Sequence, residues 1–194
     1  MKPHLPTALA SPWVERFAPL IPPGEILDLA CGSGRHARRL AGEGHPVLAV
    51  DRDPESLSAA AGPFITTLQM DLEAHAPDEP PHWTFDENRF AGIVVTNYLH
   101  RPLLPCLFAS LAPSGVLLYE TFSQGNGQFG KPSNPAFLLQ PGELLQFAMR
   151  FADRGARVVA YEDGYAGTPK PAMIQRLCLI KGNAASGPQG LRLF

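Results

Sequence analysis

The 194-residue chain predicts an α/β fold with a seven-stranded, mostly parallel sheet, helices on both faces and an antiparallel last strand. Three observations carry this expectation. Short apolar runs recur between helical patterns, as they do where parallel strands alternate with crossover helices. The first run, Ile26-Leu27-Asp28-Leu29, stops at a turn with two closely spaced glycines, Gly32 and Gly34. The last two runs, 157–161 and 172–180, are separated by about ten residues that include Gly164, Gly167 and Pro169. Parallel strands need a crossover of a dozen residues or more, so this pair reads as an antiparallel hairpin.

Composition narrows the class. The length fits one domain, expected over residues 1–181 with a loose tail at 182–194, and leaves no room for a separate substrate domain. Hydrophobic content of 45%, charged content of 18% and a net charge of −2 are ordinary for a globular protein and give no electrostatic reason to expect nucleic acid or an anionic membrane as partner. Cys31, Cys106 and Cys178 are odd in number and widely spaced, which reads as reduced thiols and a cytoplasmic protein. The N-terminal residues lack a basic start followed by an apolar core and no apolar run approaches 18 residues, so neither secretion nor membrane spanning is expected.

In chain order, Ser11-Pro12-Trp13 is a cap and first turn for a helix with Trp13, Phe17 and Leu20 on one face. After the glycine turn a second helix carries Ala37, Leu40 and Ala41, and its free N–H groups would face the same crevice as the turn. Strand two covers 46–50, with Asp51 at its C-terminal end. Asp53-Pro54 caps the next short helix, over 55–61. Strand three, 64–70, leads to Asp71-Leu72, and residues 74–89 read as a polar, proline-rich, solvated connection. His75 and His82 within it have no second pair at ligand spacing, so no metal site is expected. The strongest β-branched run, 90–97, fits a central buried strand. A turn at 112–115, strand five at 116–122, a glycine-rich loop at 123–135 and a helix containing Leu144, Leu145, Phe147, Ala148 and Phe151 precede the hairpin.

The glycine turn admits two cofactors. Gly32-Ser33-Gly34-Arg35-His36-Ala37 satisfies the dinucleotide spacing G-x-G-x-x-G/A, and Asp51 lies about 20 residues on, at a ribose-binding distance. That is the pattern of an NAD(P)-binding oxidoreductase. Asp28, on the strand itself, favours a cationic ligand over a diphosphate. The run Leu27-Asp28-Leu29-Ala30-Cys31-Gly32-Ser33-Gly34 resembles the first motif of class I S-adenosylmethionine-dependent methyltransferases. With Asp51, Asp71, Asn97 and the closing hairpin, the resemblance covers residues 24–181, and within the class it is most similar to the small bacterial tellurite-resistance-type enzymes. Ala30 departs from the glycine frequent at that place.

The resemblance implies a Rossmann-like sheet and S-adenosylmethionine as cofactor. Its expected contacts are Asp28, Ala30, Gly32, Ser33 and Gly34 at the amino acid end, Asp51 and Arg52 at the ribose, Asp71 and Leu72 at adenine, and Asn97 by the methyl group. A small-molecule acceptor is expected near Tyr98, His100, Arg101, Glu120, Phe129 and Lys131. His100 is the candidate general base, or a cap for the helix that follows. Glu120 is either paired internally or turned to the substrate pocket, and loop 123–135 reads as a lid. The absence of an N-P-P-Y or D-P-P-Y tetrapeptide, with Tyr98 and Leu99 in its place, disfavours methylation of a nucleobase amine. A protein that binds S-adenosylmethionine without catalysis is the remaining alternative.

Overall fold

Four fully buried residues make strand β1 (Ile26–Leu29), and such a strand forms only where neighbours cover both edges and both faces. The computed structural model, which describes residues 9–74, 76 and 79–182, supplies them. Strand β2 (Val47–Asp51) and strand β4 (Phe90–Thr96) flank β1 in parallel, with Leu27 opposite Leu48 on one side and Ile93 on the other. Strands β3 (Ile65–Gln69), β5 (Leu111–Phe122), β6 (Ala156–Ala166) and β7 (Ala172–Lys181) complete the order β3-β2-β1-β4-β5-β7-β6. Strand β7 runs antiparallel to both β5 and β6, as the short hairpin connection requires. Strands β6 and β7 extend further toward each other than the sequence pattern implied, and only residues 167–171 join them.

Side-chain alternation sorts the core into two layers. Leu27, Leu29, Leu48, Val50, Ile93, Val95, Leu117 and Tyr119 share one cluster with helices α4 (Leu104–Ser110) and α5 (Glu143–Met149). Ile26, Val47, Ala49, Val94, Val116 and Leu118 share the other with α1 (Pro12–Phe17), α2 (Arg35–Ala41) and α3 (Pro54–Ala60). Asp28 lies between Leu27 and Leu29 and so falls on the α1–α3 side. The expected turn at 112–115 is a register break: Leu111 pairs with Phe90 and Val116 with Gly92, so four residues loop out opposite one.

The connection from β3 to β4 departs from the expectation of a solvated segment. Trp83 is half-buried and donates its Nε1–H to Ser110 Oγ at 3.0 Å, and Phe85 is buried with its ring 5.5 Å from that of Phe90. Two aromatic residues in a polar context were enough to cover the sheet, because each buries large apolar area on few backbone residues. His82 is exposed, while His75 and residues 183–194, including nearly all of the expected tail, lie outside the described residues. Among the described residues, no helix is long and apolar enough to cross a membrane.

Candidate active site

The chain leaves β1 in a left-handed turn. Ala30, Gly32 and Gly34 have φ of 52°, 53° and 75°, a region that favours glycine because a Cβ crowds the following carbonyl. The two glycines serve different ends. A Cβ on Gly34 would stand 2.5 Å from the Ala60 Cβ, so that glycine lets α2 approach α3. A Cβ on Gly32 would meet nothing within 4 Å; there the backbone is bare and faces open space.

Asp51 braces this turn from the tip of β2. Its Oδ2 accepts the Gly32 N–H at 2.8 Å and its Oδ1 the Asp53 N–H at 3.0 Å, leaving further lone pairs on both oxygens. Asp28 works from below. It is 1% exposed and accepts the Ala37 N–H at 2.9 Å, satisfying an orphan donor in the first turn of α2. Burial pushes its carboxyl up to about 7, with that hydrogen bond opposing. Asp28 therefore has no open face toward a ligand, contrary to a direct contact with the cofactor; it shapes the turn instead.

Beside Asp51 opens a cleft of about 220 Å³ lined by Ala30, Asp51, Arg52, Met70, Asp71, Leu72, Glu73 and Tyr98. The geometry thus brings together Ala30, Asp51, Arg52, Asp71 and Leu72, and adds Tyr98, which the sequence placed on the acceptor side. Asp71 accepts the Glu73 N–H at 3.0 Å. The Tyr98 phenol oxygen is sealed from solvent with no hydrogen-bonding partner in good geometry, and burial together with the nearby Glu73 carboxylate raises its pKa, keeping it neutral. Sequence reasoning missed Met70 and Glu73. The signal was positional: both flank Asp71 at the end of β3, where α/β sheets bind ligands. Ser33 is exposed and offers its carbonyl to Arg38, 2.6 Å away, while Asn97 is exposed in a left-handed conformation, its N–H donated to Glu120 O at 2.9 Å.

His36 was also missed. It is 1% exposed, its Nε2 accepts the Ser11 N–H at 3.1 Å, and its Nδ1 lies 3.4 Å from Thr96 Oγ1. Burial pushes its pKa down to about 3, so the ring is neutral. It ties the start of α1 to the end of β4. Cys31, in the turn itself, is no nucleophile, since burial pushes its thiol up to about 12.

On the β5 side, two expected substrate residues are engaged within the fold. Arg101 donates to both Glu143 oxygens, at 2.6 and 2.9 Å, and to the carbonyls of Ala136 and Leu138, at 2.9 and 2.8 Å, committing four of its five N–H donors. Burial is the largest influence on the Glu143 pKa and would raise it, but the hydrogen bonds from Arg101 and the Gln140 N–H, together with the charges of Arg101 and Arg150, outweigh it and hold the carboxyl low. Arg101 clamps the segment after β4 to α5 and is engaged within the fold. Glu120, 8% exposed, accepts from Arg176 Nε, and Arg176 also reaches Glu162 at 2.8 Å. It is paired internally, the first of the two readings that the sequence left open. A buried carboxylate near a strand end needs a cation, and here the neighbouring strand β7 provides it. Phe129 is 40% exposed and packs on Tyr165 at 5.2 Å between centroids, and Lys131 is exposed. His100 is half-buried, and its carbonyl accepts the Leu103 N–H at 3.1 Å.

Comparison with known proteins agrees with this geometry. Residues 2–158 match the family described as methyltransferase domain. A Bacillus subtilis protein designated a methyltransferase, YqeM, is 31% identical over 134 residues, covering 62% of this chain and 50% of its own. The chain spans about half the length of the curated relatives it matches. Among solved structures, TehB of Haemophilus influenzae is similar with a TM-score of 0.67 at 18% identity, covering 91% of this chain and 63% of its own. A SAM-dependent methyltransferase of Methanosarcina mazei is similar with a TM-score of 0.65 at 16% identity, covering 90% and 99%. The chain belongs to the methyltransferase domain family, and its fold is that of the class I S-adenosylmethionine-dependent methyltransferases.

Proposed function

We propose that the chain transfers a methyl group from S-adenosylmethionine to a small-molecule acceptor. The observation that carries this reading is the bare, Asp51-braced Gly32 turn opening onto a cleft with three carboxylates, Asp51, Asp71 and Glu73. Such a lining suits a ligand with cationic groups and hydroxyls, and it opposes a pyrophosphate. The strand order also differs from the dinucleotide-binding order 3-2-1-4-5-6 in inserting the antiparallel β7, which removes support from the oxidoreductase alternative.

When bound, S-adenosylmethionine supplies an electrophilic methyl group on a positively charged sulfur. The protein's own residues bind and align. Spare lone pairs on Asp51 receive ribose hydroxyls, with Arg52 alongside. Asp71 and the Leu72 N–H meet the adenine edge. The bare backbone around Ala30, Gly32, Ser33 and Gly34 accommodates the amino acid end, held in shape by Asp28. Tyr98 forms part of the cleft wall with its hydroxyl turned into the fold, and Asn97 borders the methyl end. His100 is the proton acceptor for substrates that must lose a proton as they react. The three free cysteines support a reducing, cytoplasmic setting, and residues 1–181 act as one domain.

Release of S-adenosylhomocysteine from S-adenosylmethionine, followed by mass spectrometry over a panel of small acceptors, tests the reading. Acceptor-dependent release is expected. Tight binding with no acceptor-dependent release from any panel member would favour the non-catalytic alternative.

A further inference from the structure

A second hollow, of about 430 Å³, lies under the segment from β5 to α5 and belongs to none of the residues assigned above. Its walls include Gln124, Gln128, Ser133, Pro135, Leu138 and Gln140, with two glycines. No ionisable side chain lines it, and its surface is mostly carbon. From this hollow we infer that the acceptor is an uncharged molecule bearing hydroxyl, amine or amide groups, bound among Gln124, Gln128 and Gln140. The assignment rests on the methyltransferase reading.

Position supports it. Strand β5 is parallel to β4, so the segment after Phe122 leaves the same edge of the sheet as the 97–101 segment that borders the cofactor cleft. Arg101 of that segment holds the Ala136 and Leu138 carbonyls, which ties one wall of the hollow directly to the border of the cleft.

The hollow is also preformed. Asn126 is buried, donates to Pro132 O at 3.0 Å and accepts the Met173 N–H at 3.1 Å. Gln175 donates to Gln140 O at 2.6 Å, and Gln124 N–H to Leu139 O at 2.9 Å. Walls fixed in this way bind a ligand without a further ordering cost. A carbon-rich wall with no cationic side chain in its lining accepts a neutral polar molecule and offers an anion no electrostatic partner. The cations that the sequence offered for an anionic acceptor do not serve the hollow: Arg101 is engaged with Glu143, and Lys131 is exposed and outside the lining. In the transfer, a lone pair on the acceptor's oxygen or nitrogen forms the new bond to the methyl carbon. The carbon–sulfur bond breaks with its electron pair going to sulfur, and the acceptor's proton passes to His100 and from there to water.

The test uses 3-hydroxybenzamide and 3-hydroxybenzoate, which share a shape and differ in charge. Each is titrated into the full-length, isotope-labelled protein saturated with S-adenosylhomocysteine, and backbone amide signals are followed. The benzamide should shift signals within 124–128 and 133–140 and bind about tenfold more tightly than the benzoate, the equivalent of about 1.4 kcal/mol. Gln128→Trp, which fills the hollow, should remove those shifts while S-adenosylhomocysteine affinity stays within about twofold of the original, a change well under 1.4 kcal/mol. Equal or stronger binding of the benzoate, or no benzamide shifts in these segments, overturns the assignment. Calorimetry with S-adenosylhomocysteine alone reports on the underlying reading: its failure removes both, whereas a failure of the benzamide alone removes only the acceptor site.

Discussion

Over β1–β4, the carboxylates at the sheet's carboxyl edge spend only part of their bonding capacity on the fold. Asp51 takes the Gly32 N–H of the neighbouring turn and the Asp53 N–H of its own, Asp71 takes the Glu73 N–H, and both keep lone pairs at the cleft. Over β5–β7 the charged residues pair with one another instead, Arg101 with Glu143 and Glu120 with Arg176. A charge whose partners are backbone N–H groups can still serve a ligand, whereas a charge met by an opposite side chain is consumed.

The largest effect should come from the bare turn. Gly32→Val places a branched side chain in the space facing the cleft and at a φ of 53°; S-adenosylmethionine affinity should fall by about 100-fold or more, about 3 kcal/mol, with the circular dichroism spectrum preserved. Retained affinity would mean that the turn only connects β1 to α2, erasing the distinction between the two sides.

Next in size is the opposing titration of Asp28 and His36. His36 is pushed down to about 3, so the unfolded chain binds more protons below pH 6.5 and stability falls with falling pH in the window from 6.5 to 3. Asp28 is pushed up to about 7, so its contribution is full below pH 3.8 and is lost as pH rises to 7. Between about pH 4 and 6.5 the two slopes oppose. Asp28→Asn should expose the His36 slope, a loss of about 2 kcal/mol in urea unfolding between pH 6.5 and 5, where the parent protein changes by less than half as much. An equally flat variant would show that these buried groups do not govern the turn's stability.

The Arg101 clamp is worth a similar amount or less, since its side chain is 38% exposed and solvent screening discounts the ion pair. Arg101→Gln and Glu143→Gln should each lower stability by about 1–2 kcal/mol, and the double variant should be no worse than the sum of the two. If Glu143→Gln left the melting temperature unchanged, Arg101 would be free for an anionic substrate. Smallest is Ala30→Gly, which relieves the left-handed φ of 52° and should stabilise by about 1 kcal/mol, read as a rise of a few degrees in melting temperature.

The sequence carried the fold well because its signals were local: buried runs of the right length, glycines at a strand end, and a hairpin too short to cross over. The cleft was legible for the same reason, since Asp51, Asp71 and Leu72 follow directly on strands whose ends converge. The partners of Glu120 and Arg101 were not legible, because Arg176 and Glu143 lie 56 and 42 residues away and no local pattern announces the pairing. His36 escaped notice because its partners, Ser11 and Thr96, meet it only once α1 folds over the sheet. Trp83 and Phe85 were hidden by prolines and charges that read as solvated chain.

Calorimetric titration of the purified protein with S-adenosylmethionine, and in parallel with NADH, tests the central claim most directly. The cleft as described should take S-adenosylmethionine at one site, with NADH giving no heat, and Asp51→Ala should weaken the former by about 1–3 kcal/mol. Saturable NADH binding, or S-adenosylmethionine affinity untouched by Asp51→Ala, would contradict the account.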